Sequence, residues 1–445
     1  MTCRLLLLLA ISLPAFAQDD VKPAAPVSTM ELADGDSIVF LGDSITHQRL
    51  YTQYVEDFFY TRFPGMRLKF HNAGVGGAKA LDALDRFERD VAAYKPKYVT
   101  ILLGMNDGRY RPFDGDIFEN YQQDMMKVVQ QIKEIGATPI LMTPTMFDAR
   151  AARERDNWKN RDGVDVYNSV LAYYGTWLRD VAVHDGHGFV DMWGRLNNLT
   201  LDKRKQQPDF TMIKDAVHPG PPGQLVMAYS IIEDMGFRKG LSNIRIIKAR
   251  GKPRVNASGG KVSDLEVTDD GLSFTWTANG LPWVLPPETN PAPDMLKLGH
   301  KASREGLEIH ILKPGRYELT IDGTAVGTYT DVQLSRHIEL QSNANTPQYK
   351  QALEVAMLNK KRNEGPIGKL RGTWGQFQRL ARQRRTAEAK PDDEALAKGV
   401  KTLEDKFGNH EERIKQAEAE ALAIEDDIFK ANQPVPRKYV LKRVK

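Results

Sequence analysis

Three short motifs bring together the side chains of this chain that are best suited to chemistry. Gly42-Asp43-Ser44 follows an apolar run, Gly104-Met105-Asn106-Asp107 follows another, and Asp215-Ala216-Val217-His218 stands much later. Ser44 therefore lies just past the carboxyl end of a predicted buried strand, where open α/β sheets bind their ligands. A serine hydroxyl in that place can act as a nucleophile.

The third motif has the spacing of a general base and its orienting carboxylate. Asp215 is close enough to His218 to bond one ring nitrogen while the other nitrogen faces Ser44. The side-chain amide of Asn106 can stabilise an oxyanion. These residue types predict nucleophilic catalysis at a carbonyl carbon.

Predicted strands and helices alternate from residue 36 to residue 237. Such alternation implies right-handed crossovers and a parallel sheet with helices on both faces. We therefore predict an α/β fold with three α/β/α layers around a five-stranded parallel sheet. The predicted strands are 37–41, 68–72, 98–103, 139–143 and 188–191, and the predicted helices are 49–63, 81–93, 116–135, 164–183 and 223–235.

The character of the chain changes near residue 239. Short alternating runs predict a small antiparallel β unit, with Asp322-Gly323 as a tight hairpin turn. The charged region after it predicts two long helices, and residues 393–430 carry an amphipathic stripe that could pack as a hairpin or against a second copy of the chain. The predicted divisions are 1–17 (signal peptide), 18–33 (linker), 34–238 (hydrolase domain), 239–345 (β unit), 346–432 (helical region) and 433–445 (tail, returning as a strand or docking arm).

The first residues have the pattern of a secretory signal peptide. Arg4 precedes an apolar run that ends at Ala15-Phe16-Ala17. We predict cleavage after Ala17 and a secreted or periplasmic protein. Cys3, the one cysteine, lies inside this segment, so neither disulfides nor thiol chemistry is expected afterwards. No later apolar run has the length of a membrane span.

Composition narrows the range of partners. The chain has 62 basic and 58 acidic residues, a formal net charge of +4, and the two signs are interleaved. Without a basic stripe, nucleic-acid binding is not expected. His184, His187 and Asp191 invite a metal site, but their place around a glycine turn favours a surface turn. We predict neither a metal nor another cofactor.

With Asn72-Ala73-Gly74-Val75-Gly76-Gly77, the three motifs stand in the order found in the SGNH hydrolases, also called the GDSL esterase/lipase family, which residues 34–237 resemble. The resemblance implies a flavodoxin-like fold and a serine esterase. It also implies that Ser44 is the nucleophile, that His218 is the general base and that Asp215 orients it.

The same resemblance implies an oxyanion hole. Its donors would be the N–H groups of Ser44 and Gly77 and the side chain of Asn106. Gly74 and Gly76 remain alternatives to Gly77, because the glycine-rich run can be aligned in more than one way. Four further residues are predicted as candidate substrate contacts, although His47 could simply start a helix and Asp107 could order its loop: Asp43, His47, Asp107 and Arg109.

The expected substrate is a short-chain acyl ester, an acetyl ester above all, on a small molecule or a polysaccharide. Trp276, Phe274 and Trp283 could stack on sugar rings, although their pattern favours core packing. One alternative is a lysophospholipase or thioesterase of the same family. Another is a non-catalytic glycan-binding or envelope-scaffolding protein. The charged C-terminal helices are candidates for a homo-oligomer contact.

Overall fold

The computed structural model describes residues 25–159, 161–237 and 240–444. The predicted signal peptide and the first part of the predicted linker lie outside the described residues. The remainder of that linker contacts the hydrolase domain: Val27 forms a parallel bridge with Gly188, and the Met30 side chain is buried. Among the described helices, none is both long and apolar enough to cross a bilayer.

The first part of the chain forms a five-stranded parallel sheet with strand order β2-β1-β3-β4-β5 and helices on both faces. Its strands are nearly continuous buried runs, as expected of a parallel sheet covered on both sides. The predicted α/β fold class is confirmed. The bounds are β1 (Ser37–Gly42), α1 (Ser44–His47), α2 (Leu50–Arg62), β2 (Lys69–Gly74), α3 (Ala80–Asp90), β3 (Tyr98–Leu102), α4 (Gly115–Glu134), β4 (Thr138–Met142), α5 (Ala149–Arg153), α6 (Tyr167–Asp185), β5 (Gly188–Val190), α7 (Met192–Arg204) and α8 (Pro221–Asp234).

Two further sheets follow. One has the order β13-β10-β6-β7, in which β6 and β10 run parallel, and the other is antiparallel with the order β12-β11-β14-β9-β8. Asp322 and Gly323 have φ of 51° and 78°, which confirms the tight hairpin turn. The bounds are β6 (Ser242–Ala249), β7 (Lys252–Ser258), β8 (Gly260–Thr268), β9 (Gly271–Ala278), α9 (Ala292–Leu296), α10 (Leu298–Ala302), β10 (Glu305–Ile309), β11 (Arg316–Ile321), β12 (Thr324–Thr330), α11 (Asp331–Arg336) and β13 (Ile338–Glu339).

The aromatic side chains proposed as sugar-stacking surfaces are buried. Phe274 and Trp276 lie in the core of the two later sheets. Trp283 lies in the hydrolase core and donates its indole N–H to the carbonyl of Tyr54 at 3.1 Å. The core packing that their pattern favoured is therefore confirmed, and the alternative of sugar stacking is excluded for these three buried side chains.

The C-terminal region is helical and ends in a strand. A single helix over 393–430 is wrong, because the chain breaks at Gly408 and Asn409. The stripe residues Ile414, Ala417 and Ala421 are buried within the chain itself. The bounds are α12 (Pro347–Arg362), a π-helical turn (Asn363–Ile367), α13 (Gly368–Glu388), α14 (Glu394–Phe407), α15 (His410–Ala431) and β14 (Arg437–Val444).

These helices share one core with the hydrolase domain. Helix α2 is buried over Tyr51–Thr61, including its polar residues. The polar groups find partners on α12: Asn359 donates to Asp57 at 2.8 Å, and Arg362 pairs with Glu56 at 3.2 Å. Buried polar groups are tolerated when they are hydrogen-bonded. The side chains of α12 supply hydrogen bonds to the buried carboxylates of α2.

A buried carboxylate attaches α13 to the hydrolase domain. Asp90 has no exposed surface and accepts hydrogen bonds from Arg86 at 2.7 Å and from Arg371 of α13 at 2.7 and 3.0 Å. Burial opposes its charge, but the two arginines and His71 hold the pKa of Asp90 below its usual range. Arg86 also donates to the Ala73 and Gly42 carbonyls, at the ends of β2 and β1.

We predict that Arg371→Met destabilises the fold by about 3 kcal/mol, because the buried negative charge of Asp90 would lose one of its two arginine partners. Urea denaturation would measure this change. The matched control is Arg384→Met on the same helix, whose exposed pair with Glu404 should contribute less than about 0.5 kcal/mol. Equal effects of the two substitutions would contradict the prediction.

Candidate active site

The nucleophile candidate lies at the junction of β1 and α1. Asp43 caps α1 by accepting a hydrogen bond from the Ile45 N–H at 2.9 Å, and Ser44 is the first helical residue. A Cβ atom on Gly42 would lie 2.1 Å from the Thr46 hydroxyl oxygen. Only glycine therefore lets the first turn of the helix fold back against the end of the strand.

Ser44, His218 and Asp215 form a continuous hydrogen-bond relay. The Ser44 Oγ lies 2.8 Å from the His218 Nε2, and the His218 Nδ1 lies 2.7 Å from the Asp215 Oδ2. The other oxygen of Asp215 accepts from the backbone N–H groups of Val217 and His218. This arrangement leaves Nε2 free to accept a proton from the serine.

The electrostatics of the relay favour proton transfer from serine to histidine. The hydrogen bond with Asp215 raises the pKa of His218 above 6.5, against the opposing effect of desolvation. Partial burial opposes ionisation of Asp215, yet its bonds with His218 and the backbone lower the pKa of Asp215 to about 2. The carboxylate is therefore ionised wherever the imidazole titrates.

The turn that carries Asp215 is supported from outside the motif. Ala216 has a φ of 79°, a left-handed conformation that is costly for a non-glycine residue. Trp158 donates its indole N–H to the Asp215 carbonyl at 3.2 Å, and its ring lies 5.2 Å from that of Tyr110. An aromatic contact thus links this turn to the loop that carries Asn106.

Asn106 lies between the nucleophile and the glycine-rich loop. Its Nδ2 donates to the Ala78 carbonyl at 3.1 Å and lies 3.5 Å from the Asp43 Oδ2. Its Oδ1 accepts from the Tyr110 hydroxyl at 2.9 Å. With the oxygen held by Tyr110, the amide nitrogen is directed toward Asp43 and the adjacent Ser44.

The glycine-rich loop is held from α13. Gly74 donates its N–H to Asn72, which leaves Gly76 and Gly77 of the three glycines that the sequence left open. Gln378 donates to the Gly76 carbonyl at 3.0 Å. That carbonyl and the Gly77 N–H belong to one planar peptide unit, so Gln378 orients the N–H that was assigned to the oxyanion.

Arg382 fixes the next peptide unit of the same loop. It donates to the Gly77 carbonyl at 2.6 Å and to Asp82 at 2.5 and 2.9 Å. Gly77 has a φ of 68°, which glycine adopts at little cost. The carbonyls on both sides of the Gly77 N–H are thus bonded to one helix.

Two of the predicted substrate contacts have another role. Asp43 and Asp107 are 1% and 8% exposed. Asp107 accepts from the backbone N–H groups of Ala80 and Gly104, so it joins the two loops of the site. Burial argues against substrate contact by these two side chains and favours the role in ordering the loop that the sequence allowed for Asp107. Burial also raises the pKa of Asp43 to about 7 and that of Asp107 to about 6.

The other two predicted contacts differ from each other. His47 ends α1 and is half-buried; burial, with Arg371 and Arg49 nearby, lowers the pKa of His47 to about 4, so it is neutral at pH 7. Arg109 is exposed and lines a cleft of about 750 Å³ that also contains Gly77 and Asn106. Of the four candidates, Arg109 is the one with an open route to a ligand.

The histidines considered for a metal are not gathered into a site. The side chain of His184 is 80% exposed, His187 is buried, and Asp191 caps α7 by accepting from Gly194. Within the described ranges, no three or more histidine, cysteine or acidic side chains are placed to hold one ion.

Four residues of the site were not found by sequence reasoning: Tyr110, Trp158, Gln378 and Arg382. The only sequence signal for Gln378 and Arg382 is their spacing from Arg371. The three residues are seven and four positions apart, which is the spacing of one helical face. A solvated polar face has the same spacing, so this signal carries no information about the partner.

We expect kcat/KM on 4-nitrophenyl acetate to rise with pH through a midpoint above 6.5, because His218 must be neutral to accept the serine proton. Asp215→Asn removes the group that raises that pKa. The midpoint should fall, and kcat should drop roughly 10³- to 10⁴-fold.

The control for this profile is Asp43→Asn, because the pKa of Asp43 lies near 7 and asparagine also caps helices. The acid limb should persist in this variant. Its disappearance there, or an unchanged midpoint in Asp215→Asn, would assign the titration to a group other than His218.

We further predict that Gln378→Leu lowers kcat by about 10-fold with little change in KM, because it frees the peptide unit that presents the Gly77 N–H; outright loss of an oxyanion donor typically costs more. Steady-state kinetics on 4-nitrophenyl acetate would measure this. The control is Gln383→Leu on the same helix, whose amide lies beside Gly399 of α14. A normal kcat in Gln378→Leu would refute the positioning role.

Known proteins resemble this chain over two different extents. A sequence model of the GDSL-like Lipase/Acylhydrolase family matches residues 40–226. The acetylxylan esterase of Geobacillus stearothermophilus is 24% identical over 230 residues, 47% of this chain and 97% of that protein. An uncharacterized lipoprotein of Bacillus subtilis (strain 168) is 35% identical over 78 residues, 16% of this chain and 30% of that protein.

One solved structure matches nearly the whole chain. It is that of a gut microbial diltiazem-metabolizing enzyme, with a TM-score of 0.76 at 24% identity, covering 94% of this chain and 99% of that one. This likeness confirms the fold, including the later sheets and the C-terminal helices. Residues 40–226 therefore form a GDSL-like lipase/acylhydrolase domain of the SGNH hydrolase type, and the protein is a carboxylic ester hydrolase.

Proposed function

We propose that this protein is an exported serine esterase that removes short acyl groups, acetyl above all, from carbohydrate esters. The observation that carries the proposal is the relay from the Ser44 Oγ to the His218 Nε2 at 2.8 Å and from the His218 Nδ1 to Asp215 at 2.7 Å. The name of its acetylxylan esterase relative supports the choice of acetyl esters on carbohydrate.

In the proposed cycle, Ser44 attacks the ester carbonyl while His218 takes the serine proton. The oxyanion receives hydrogen bonds from the N–H groups of Ser44 and Gly77 and from the side chain of Asn106. His218 then gives its proton to the departing alcohol, leaving an acyl-enzyme. Water, deprotonated by His218, attacks the acyl-enzyme and releases the acid and the free serine. Asp215 remains ionised and orients the imidazole throughout.

The cleft beside the oxyanion residues supports a polar substrate. Its lining includes Lys79, Asp82, Arg109 and Arg385 next to Gly77 and Asn106. A long acyl chain would need an extended apolar groove, so this cleft argues against the lysophospholipase or thioesterase alternative. The non-catalytic scaffold is not retained, because the protein is an ester hydrolase.

Export is part of the proposal and rests on the sequence of residues 1–17. The likeness to a bacterial lipoprotein is compatible with a place outside the cytoplasm. A homo-oligomer through the C-terminal helices remains a prediction. On α15 most of the stripe is buried against the rest of the chain, whereas on α14 only Phe407 is buried. The partly exposed apolar side chains of α14 are the surface that such a contact would use.

The test compares the wild type with Ser44→Ala on 4-nitrophenyl acetate, butyrate and octanoate, and on acetate release from acetylated xylan. We expect kcat/KM to be highest for acetate and to fall with chain length. Ser44→Ala should lose roughly 10⁴-fold or more in kcat, because the nucleophile is absent.

Each part of the proposal can fail separately. A preference for octanoate would favour the lipid or thioester alternative. Retained activity in Ser44→Ala would overturn the serine mechanism. Hydrolysis of 4-nitrophenyl acetate without acetate release from any glycan would restrict the enzyme to small esters.

A further inference from the structure

The cleft of about 750 Å³ beside the oxyanion residues is strongly cationic. Three separate segments supply its charges: the loop before α3, the loop after β3 and the C-terminal part of α13 with the residues that follow it. The chain therefore gathers like charges here at a cost in mutual repulsion. Its charged lining residues are Lys79, Arg109, Arg382, Arg385 and Lys390, against the single carboxylate of Asp82.

Part of this charge is neutralised within the protein. Asp82 is shared by Arg382 and Arg385, and Asp85 also pairs with Arg385. These pairs hold α13 against α3 and make one wall of the cleft rigid. They account for two of the five cations.

The other three cations have no such partner. Within the described residues, no carboxylate oxygen lies within ion-pair distance of Lys79, Arg109 or Lys390. Asp43 and Asp107 are buried and do not line the cleft, although the charge of Lys79 acts on the buried Asp107 and favours its ionised form. The wall that a bound ester would face beyond Asn106 therefore carries an excess of positive charge.

We propose that the ester substrate is borne by an acidic carbohydrate, whose carboxylate or sulfate group binds Lys79, Arg109 and Lys390 while its ester reaches Ser44. The inference rests on the proposed esterase function and adds the charge of its substrate. A cleft lined by one sign of charge concentrates ligands of the opposite sign, and lysine and arginine are the usual partners of carboxylates and sulfates. The neutral xylan backbone would lack this interaction.

Binding tests the inference without turnover. Ser44→Ala would be titrated by calorimetry at low salt with an oligogalacturonate, with its methyl ester and with a sulfated galactan oligosaccharide. We expect at least one acidic ligand to bind about 10-fold or more tightly than the neutral methyl ester, and the advantage to shrink in 1 M salt, where the Debye length is about 3 Å. The tighter of the two acidic ligands identifies the group. Equal affinity for acidic and neutral ligands would overturn the inference.

A double substitution tests whether the acidic ligand binds in this cleft. Lys79→Gln with Lys390→Gln should reduce the acidic-to-neutral affinity ratio about 5-fold or more. Lys127→Gln with Lys205→Gln removes the same charge from exposed places on α4 and directly after α7 and should leave the ratio unchanged. Equal losses in the two double variants would mean a general charge effect and would overturn the assignment to this cleft.

Activity of the wild type distinguishes failure of the esterase function from failure of the acidic substrate. Acetate release from acetylated pectin and from acetylated xylan would be compared at equal ester concentration. Release from xylan alone would leave the esterase function standing and overturn the acidic substrate. Absence of release from both, with selective binding of an acidic oligosaccharide to Ser44→Ala, would overturn the proposed function and keep the binding site.

Discussion

Asp90 is a carboxylate without exposed surface, and it is neutralised by one arginine four residues away and by another from far along the chain. Such a charge is tolerable only when it is well paired and hydrogen-bonded. Arg86 meets it from its own helix and also bonds the ends of β1 and β2, directly beneath the nucleophile loop. Arg371 meets it from α13. The burial of one charge thereby ties the C-terminal helix to the active-site edge of the sheet.

The consequence of that tie is a firmly held backbone at the oxyanion loop. A loop rich in glycine has little side-chain packing of its own, so its conformation depends on what its carbonyls bond. Gln378 and Arg382 supply those bonds at Gly76 and Gly77. The helical region therefore orients the peptide units that carry the proposed oxyanion donor, and preorganised donors are what oxyanion stabilisation requires.

Environment separates the roles of the carboxylates around Ser44. Asp215 is bonded by an imidazole and two backbone N–H groups, which keeps it ionised. Asp43 and Asp107 are buried and shifted upward, and they order backbone turns. Carboxylates in similar motif positions therefore have different environments, and burial argues against the substrate contacts predicted for Asp43 and Asp107.

Local patterns predicted much of this protein. Continuous apolar runs between helical segments were enough for the parallel sheet, because covered strands are apolar on both faces. Ser44, Asn106, Asp215 and His218 were found because their motifs occupy strand ends and turns, and the structure brings them together. The break at Gly408 and Asn409 was missed, because the apolar stripe continues in helical register across it.

By itself, the sequence determined the hydrolase fold and the order of the candidate catalytic residues, since both depend on short-range spacing and strand hydrophobicity. Only the tertiary structure decided which helix holds the glycine-rich loop and which cations line the cleft. Gln378 and Arg382 meet Gly76 and Gly77 across some three hundred residues of chain. The spacing of polar residues on one helix does not encode which distant group will fold against them, because that choice depends on the packing of the entire core.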